Sequence, residues 1–330
     1  MRIAVIGAGA VGGAIAALLS RAGHEVEVTA RGAHLAAIGE HGIRLHGAWG
    51  EATARVAAAQ RLTARADLVI VTTKAQDAVA AITDNLQQLG DAPLLVVQNG
   101  LDSLSNARAA SPGSRVVGGL AMFAASYLSP GEVTITTPNV TFIGGDDAEA
   151  VGAFERLLAP VMPVRRIDDF ASAQWTKLLV NQLNALPAVT GLSVQDVIAH
   201  RGLRRVLVQS LREGVAAGHA LGVRFARLGG LGDASLSAFA VAPYWAAQQL
   251  PLRLRRRMGP VPNPGSTLQS IRRDQPSEID YLNGAVVAAG ERAGVATPIN
   301  ALIVRLVHEV ESSKSFVVPE VVVARAATAS

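Results

Sequence analysis

Met1-Arg2-Ile3-Ala4-Val5-Ile6-Gly7-Ala8-Gly9-Ala10-Val11-Gly12-Gly13 runs from an apolar strand straight into a glycine-rich turn. Residues 2–6 read as a parallel strand buried on both faces, and residues 7–12 supply the pattern G-x-G-x-x-G. Each glycine has its own task. Gly7 makes the turn tight, Gly9 lets backbone approach a pyrophosphate, and Gly12 lets the next helix pack closely on the strand. That helix is expected over residues 11 to about 22, with its N-terminal N–H groups aimed at the phosphates, where the helix dipole favours negative charge. A second strand at 24–29, His-Glu-Val-Glu-Val-Thr, completes the strand–turn–helix–strand context that a dinucleotide site requires. The backbone of Gly7, Ala8, Gly9, Ala10, Val11 and Gly12 is therefore the candidate cofactor cradle.

The end of the second strand selects the cofactor. An NAD site usually carries Asp or Glu there, about twenty residues beyond the glycines, to bind the ribose 2′-hydroxyl. This chain has Thr29-Ala30-Arg31-Gly32, with an arginine and no acid. A guanidinium suits a 2′-phosphate through paired, charge-assisted hydrogen bonds. Arg31 as a solvated surface charge is the alternative, and the missing carboxylate weighs against it, so NADPH/NADP+ is the expected cofactor.

Composition narrows the class. The chain has 330 residues, enough for a substantial core and two domains. Half of it is hydrophobic, yet no run approaches the roughly 18 to 20 unbroken apolar residues of a membrane span. A first strand beginning at residue 2 leaves no room for a secretion signal, so a cytoplasmic location is expected. The absence of cysteine excludes disulfides, thiolate metal sites and a cysteine nucleophile. A net charge of +4 is modest for this length and points to anionic small ligands, not to nucleic acid.

Along the chain, strands and helices alternate first and helices follow alone. Ala66–Thr72 and Pro93–Val97 are continuous apolar runs typical of parallel strands covered on both faces. Helices are expected near 76–89 and 101–110, and shorter strands within 115–143, one of them at 133–136. Beyond about 170 the strand signal gives way to Ala/Leu/Val helices with 3.6-residue spacing. These observations predict an α/β Rossmann domain over 1–170, doubly wound on a mostly parallel sheet, an all-α domain over 171–311, and a C-terminal tail over 312–330 whose last ten or so residues are weakly ordered.

Two segments of the second domain carry polar chemistry. In Ser172-Ala-Gln-Trp-Thr-Lys-Leu-Leu-Val-Asn-Gln-Leu-Asn-Ala-Leu186, a helix expected over 172–190, Gln174, Lys177, Asn181 and Asn184 fall within an arc of about 80°. The rest of the helix is apolar, and a lysine placed against protein needs partners. The stripe either lines a cleft or is the exposed face of an amphipathic helix, and the residue pattern leaves both open. The second segment holds Asn263-Pro-Gly-Ser266-Thr-Leu-Gln269 and Pro276-Ser-Glu-Ile-Asp-Tyr-Leu-Asn-Gly284. Ser277 with Asp280 reads as a capping-box start of a helix, which leaves Glu278, about 200° round the helix from Asp280, free to face something else.

In order and spacing, GAGAVGG, the lysine of VTTK, QNG after a strand, WTKLLVNQLNA and STLQSIRRDQPSEIDYLNGAVV resemble the ketopantoate reductases across residues 1–311. The resemblance implies a Rossmann domain, an all-helical domain, and an active site in the cleft between them. It implies NADPH-dependent reduction of 2-dehydropantoate, a small anionic 2-oxo acid, to pantoate, on the way to pantothenate and coenzyme A. Carried over by position, Lys177 matches the proton donor, and Glu278 matches a carboxylate near the nicotinamide and the substrate hydroxyl. Ser266 matches the hydroxyl that binds the substrate carboxylate, and Asn181 a substrate-binding asparagine. Asn99 matches a residue touching both cofactor and substrate. Lys74 resembles a lysine lining the cofactor site, and Ala124 a backbone contact to the cofactor. A homodimer stays open, and neither nucleic acid nor membrane is implied.

Departures from the family pattern fall near the substrate side. The family's second helix asparagine corresponds to Ala185, and Asn184 stands one place earlier, turned by about 100°. Gly-Ser-Thr-Leu-Gln-Ser replaces the common Pro-Ser-Met-Leu-Gln-Asp, so Ser270 stands for the acid. Residues 231–262 are unusual and include Leu-Arg-Leu-Arg-Arg-Arg at 252–257. Two alternatives follow: a reductase of another small 2-oxo acid or related carbonyl, and a dinucleotide-binding sensor that uses the arginine run. No helix-turn-helix, RNP or zinc pattern supports the second, and a short arginine run is more often a solvated face.

Overall fold

The structure, a computed structural model, describes residues 1–127, 129–259 and 261–329. The chain divides into two compact units, Met1–Phe170 and Ala171–Ser330.

In the first unit the elements run β1 (Arg2–Ile6), α1 (Ala10–Arg21), β2 (Glu25–Thr29), α2 (Gly32–His41), β3 (Ile43–Gly47), β4 (Ala52–Ala54), β5 (Ala57–Ala59), β6 (Leu68–Val71), α3 (Ala75–Thr83), α4 (Leu86–Leu89), β7 (Leu94–Val97) and α5 (Ser103–Ala110). They continue with β8 (Val116–Ala121), β9 (Ala124–Ser126), β10 (Glu132–Thr137), β11 (Thr141–Gly144), α6 (Ala148–Leu158) and β12 (Val164–Arg166). The main sheet has eight strands in the order β12-β11-β8-β7-β6-β1-β2-β5. Every neighbouring pair is parallel except β11 with β8. The alternation of side chains explains why the strands read as unbroken apolar runs. Ile3 and Val5 join one buried cluster with Ile15, Leu18 and Phe154, while Ala4 and Ile6 join another with Val69, Ile82 and Leu94. The chain winds outward from β1 to β2 and later returns to β6 on the other side of β1. This reversal makes the crevice at the carboxyl ends of β1 and β6 the topological switch point, where ligands of open α/β sheets bind.

The helix expected near 76–89 is interrupted. Asn85 stands between α3 and α4, with its side chain donating to Ala81 O at 2.7 Å and accepting from Leu62 N–H at 2.7 Å. The strand expected at 133–136 is β10, and it belongs to a second sheet, order β4-β3-β10-β9, whose β3 and β4 the sequence reading did not foresee. β10 pairs in parallel with β3, and Val133 and Ile135 are buried in the same cluster as Ile43 and Leu45.

The second unit contains α7 (Phe170–Asn181), a 3₁₀ turn (Gln182–Asn184), α8 (Ala185–Thr190), α9 (Val194–Ala199), α10 (Arg201–Ala220), α11 (Asp233–Val241), α12 (Tyr244–Ala247) and α13 (Gln249–Arg257). After these come α14 (Gly265–Arg272), a 3₁₀ turn (Ile279–Tyr281), α15 (Asn283–Ala293), α16 (Pro298–Ser313) and α17 (Pro319–Ala329). The single helix expected over 172–190 is thus two helices joined by tighter winding. Pro187 supplies the reason. It has no N–H to donate to Leu183, four residues earlier, and its ring crowds that carbonyl, so regular α geometry cannot run through.

Two further expectations are corrected. Residues 319–329 are helical, not a weakly ordered tail, because Val322 and Ala326 are buried; Ser330 lies outside the described residues. Asp280 is not a helix cap. It sits inside the 3₁₀ turn with its carboxylate on His308, and α15 begins only at Asn283. Among the described residues no helix is long and apolar enough to cross a membrane.

Candidate active site

The glycine turn is held by the strands beside it. Gly7 N–H donates to Thr29 Oγ1 at 2.9 Å, Ala8 N–H donates to Thr29 O at 2.9 Å, and Thr72 Oγ1 donates to Gly7 O at 2.6 Å. A Cβ on Gly12 would stand 2.1 Å from Gly7 O and 2.2 Å from Thr72 Oγ1, so only glycine allows α1 this close to the turn. Gly7 has φ +99°, the left-handed region that favours glycine. At Gly9 a Cβ would meet nothing within 4 Å. The backbone there borders open space in front of the α1 N-terminus, whose first N–H groups have no acceptor within the helix. That cradle fits a pyrophosphate.

The other cofactor candidates share the edge of the sheet with the turn. Arg31 follows β2, exposed, as the residue that precedes α2. Lys74 follows β6 and precedes α3, Asn99 follows β7, and Ala124 lies just beyond β8 at the start of β9. β1, β2, β6, β7 and β8 are mutually parallel along the sheet, so these positions all lie at carboxyl ends. Gln98 joins two of them by donating its Nε2–H to Thr73 O at 2.8 Å.

His34 is a residue of this region that sequence reasoning missed. It is buried in α2, with Nε2 at 2.6 Å from Ala8 O and Nδ1 accepting from Gly131 N–H at 2.9 Å. An accepting Nδ1 places the ring proton on Nε2, which donates to the glycine turn. Burial holds the ring's pKa below its ordinary value, although the bond to Ala8 opposes the shift, which agrees with this neutral form. The signal available in the sequence was one histidine three residues beyond Arg31, with nothing to say that it faces the turn.

In the second unit the polar stripe of α7 is set into apolar surroundings. Ala173, Trp175, Leu178 and Leu179 are buried, as are Gln174 and Thr176, and Lys177 is partly buried. Burial drives the Lys177 pKa down, opposed by the negative charge of Glu278, and the balance leaves it at about 8. Lys177 is also one of only three lysines, with Lys74 and Lys314, in a chain with 30 lysines and arginines together. Arginine cannot give up its proton near neutral pH, so a lysine on this helix retains a capacity that the chain's common cation lacks. Asn181, partly buried, closes α7 one turn further on.

Asn184, at the end of the tightly wound segment, donates from Nδ2 to Ser266 Oγ at 3.3 Å. Ser266 is exposed in the first turn of α14, directly after Gly265. Gly265 has φ +72°, and a Cβ there would lie 2.7 Å from Asn184 Oδ1. The loop before it is fixed by Gln195, whose Oε1 accepts from Asn263 N–H at 2.9 Å. The structure therefore couples Lys177 with Glu278 electrostatically and Asn184 with Ser266 by a hydrogen bond, all within one unit.

A buried polar network absent from the sequence expectations supports that segment. Gln182 and Asn300 both face Ser210 Oγ at 2.9 Å, and Asn283 Nδ2 donates to Asn300 Oδ1 at 2.9 Å. Glu213 accepts from the backbone N–H of Ile299 and of Asn300, both at 2.8 Å, at the start of α16. Burial raises the Glu213 pKa despite these bonds.

The family pattern described as Ketopantoate reductase PanE/ApbA matches residues 3–147, and that described as Ketopantoate reductase PanE/ApbA C terminal matches residues 169–311. A 2-dehydropantoate 2-reductase of Mesorhizobium japonicum is 30% identical, over 93% of this chain and 97% of its own. One of Archaeoglobus fulgidus is 26% identical over 94% and 98%. Among solved structures, a PanE/ApbA family ketopantoate reductase from Ralstonia eutropha superposes with a TM-score of 0.82 at 28% identity, covering 95% of this chain and 99% of that one. A D-mandelate dehydrogenase solved with NADH and anilino(oxo)acetate shares the fold, with a TM-score of 0.79 at 21% identity over 96% of this chain and 100% of that one. The glycine-turn unit, the helical unit with Lys177 and these matches along almost the whole chain lead to one assignment: this chain belongs to the ketopantoate reductase family of oxidoreductases acting on CH–OH groups.

Proposed function

We propose that the protein reduces 2-dehydropantoate to pantoate with NADPH; its relatives carry the name 2-dehydropantoate 2-reductase. The observation that carries this reading is Lys177, a partly buried lysine with a pKa of about 8, beside the charge of Glu278 on the unit that also presents Ser266. The cradle at Gly7–Gly12 and the exposed Arg31 support a dinucleotide with a 2′-phosphate. When bound, the reduced nicotinamide supplies a hydride to the 2-oxo carbon.

The protein's own groups do the remainder. Ser266 Oγ, oriented by Asn184, binds the substrate carboxylate, and Asn181 fixes the orientation of the bound 2-oxo acid. Lys177 Nζ lies at the carbonyl oxygen, where its charge stabilises the negative charge that develops and its proton completes the hydroxyl. With a pKa of about 8, most of the amine is protonated at neutral pH and yet gives up a proton more readily than an ordinary lysine. Glu278 keeps the ammonium from being lost altogether to burial, and it lies near the hydroxyl that forms.

Steady-state oxidation of NADPH with a panel of small 2-oxo acids tests the assignment. Ketopantoate is expected to give the highest kcat/KM, with NADPH well ahead of NADH. No turnover with any 2-oxo acid overturns the reading. A higher kcat/KM for another 2-oxo acid selects a second one, which Ser270 favours. Where the family carries an acid, this chain has a buried serine with its hydroxyl 3.3 Å from Ser266 O.

A further inference from the structure

α16 carries His308 and Glu311 one turn apart, and both reach the segment that holds Glu278. His308 Nε2 lies 2.9 Å from Asp280 Oδ1, and its Nδ1 lies 2.9 Å from Glu311 Oε2. Carboxylate oxygens only accept, so a ring bonded to both carries two N–H donors and is an imidazolium. Glu311 uses its other oxygen, Oε1, to accept from Ser277 N–H at 2.8 Å. Ser277 and Asp280 stand on either side of Glu278 in the chain, and both are thus tied to α16 through one cluster. Glu278 precedes a 3₁₀ turn of only three residues, so little regular structure fixes its direction from within the segment.

We propose that His308 is a positioning residue: as the cation shared by Asp280 and Glu311, it sets the place of Glu278 and, through Glu278, the proton affinity of Lys177. Burial is the largest single influence and lowers the His308 pKa, yet the hydrogen bonds and charges of Asp280 and Glu311 together hold it above its ordinary value, in keeping with the charged ring. His308 and Asp280 are exposed and Glu311 is partly buried, so the effect of these ion pairs is geometric more than stabilising.

The inference rests on the proposed catalytic role of Lys177 only for its kinetic consequence, and the decisive readout needs no turnover. With ¹³C-labelled lysine the protein gives three side-chain signals, and Lys177→Arg identifies the one of interest. Glu278→Gln is expected to lower the Lys177 pKa, because the opposing charge is removed. His308→Ala is expected to lower it in the same direction by at least half as much, and His308→Arg, whose guanidinium reaches two carboxylates, to restore it. Asp280→Asn opens the same cluster by a second route and is expected to shift Lys177 likewise. In the kinetic arm, His308→Ala lowers kcat for the 2-oxo acid several-fold and leaves NADPH affinity unchanged. A folded His308→Ala protein with Lys177 titrating as in wild type, while Glu278→Gln shifts it, overturns the proposal. So does a Lys177 signal indifferent to Glu278→Gln. A protein that turns over no 2-oxo acid, yet in which His308→Ala shifts Lys177, loses the proposed function and keeps this inference.

Discussion

Lys177 and Arg31 each lead to a measurable expectation. Burial lowers the pKa of Lys177 by making the ammonium costly, with Glu278 opposing the shift, and the donor is the protonated form. Reduction should therefore hold its kcat/KM up to about pH 8 and then fall about tenfold per pH unit. Oxidation of the 2-hydroxy acid, which needs the neutral amine, should rise through the same range. A reduction profile that stays flat well above that value assigns the proton to another group. For Arg31→Ala, KM for NADPH is expected to rise far more than KM for NADH, measured side by side, because only NADPH carries the 2′-phosphate. Equal changes for both cofactors contradict the role given to this strand end. Lys177 stood out in the sequence as a lysine on an otherwise apolar helix, but the residue pattern left its surroundings open, and its role as proton donor came from the family resemblance. His34 and His308 did not stand out, because each acquires its meaning from partners distant in the chain, Gly131 for one and Asp280 for the other.

At the scale of elements, the joint between α7 and α8 places Asn184 beside Ser266, and Gly265 allows the approach. Gly265→Ala puts a Cβ into the Asn184 amide and forces a left-handed residue, so a loss of about 1 kcal/mol or more is expected. KM for the 2-oxo acid should rise while NADPH affinity, from fluorescence titration, stays as in wild type. Unchanged KM separates Ser266 from substrate binding. β1, α1 and β2 were readable in the sequence because long apolar and glycine signals coincide there. β4 and β5 were not, since Ala-Thr-Ala and Ala-Ala-Ala are only three residues long and hold a single β-branched side chain, Thr53, between them. The break at 182–184 was visible only as Pro187 inside an otherwise helical pattern, the signal that the periodicity masked.

For the molecule as a whole, the switch from alternating strands and helices to helices alone foreshadowed the two units, because parallel strands covered on both faces leave a different hydrophobic period from helix bundles. The helical C-terminus escaped notice because Val322 and Ala326 are small apolar residues whose burial depends on the rest of the second unit. The most direct measurement is kcat for NADPH-dependent ketopantoate reduction by Lys177→Ala, with NADPH affinity titrated on the same sample. Positioned acid catalysis alone is worth about 10² to 10⁴, and charge stabilisation adds to it. The expected result is a loss of that size or greater with NADPH affinity unchanged, and a variant that turns over at the wild-type rate contradicts the claim.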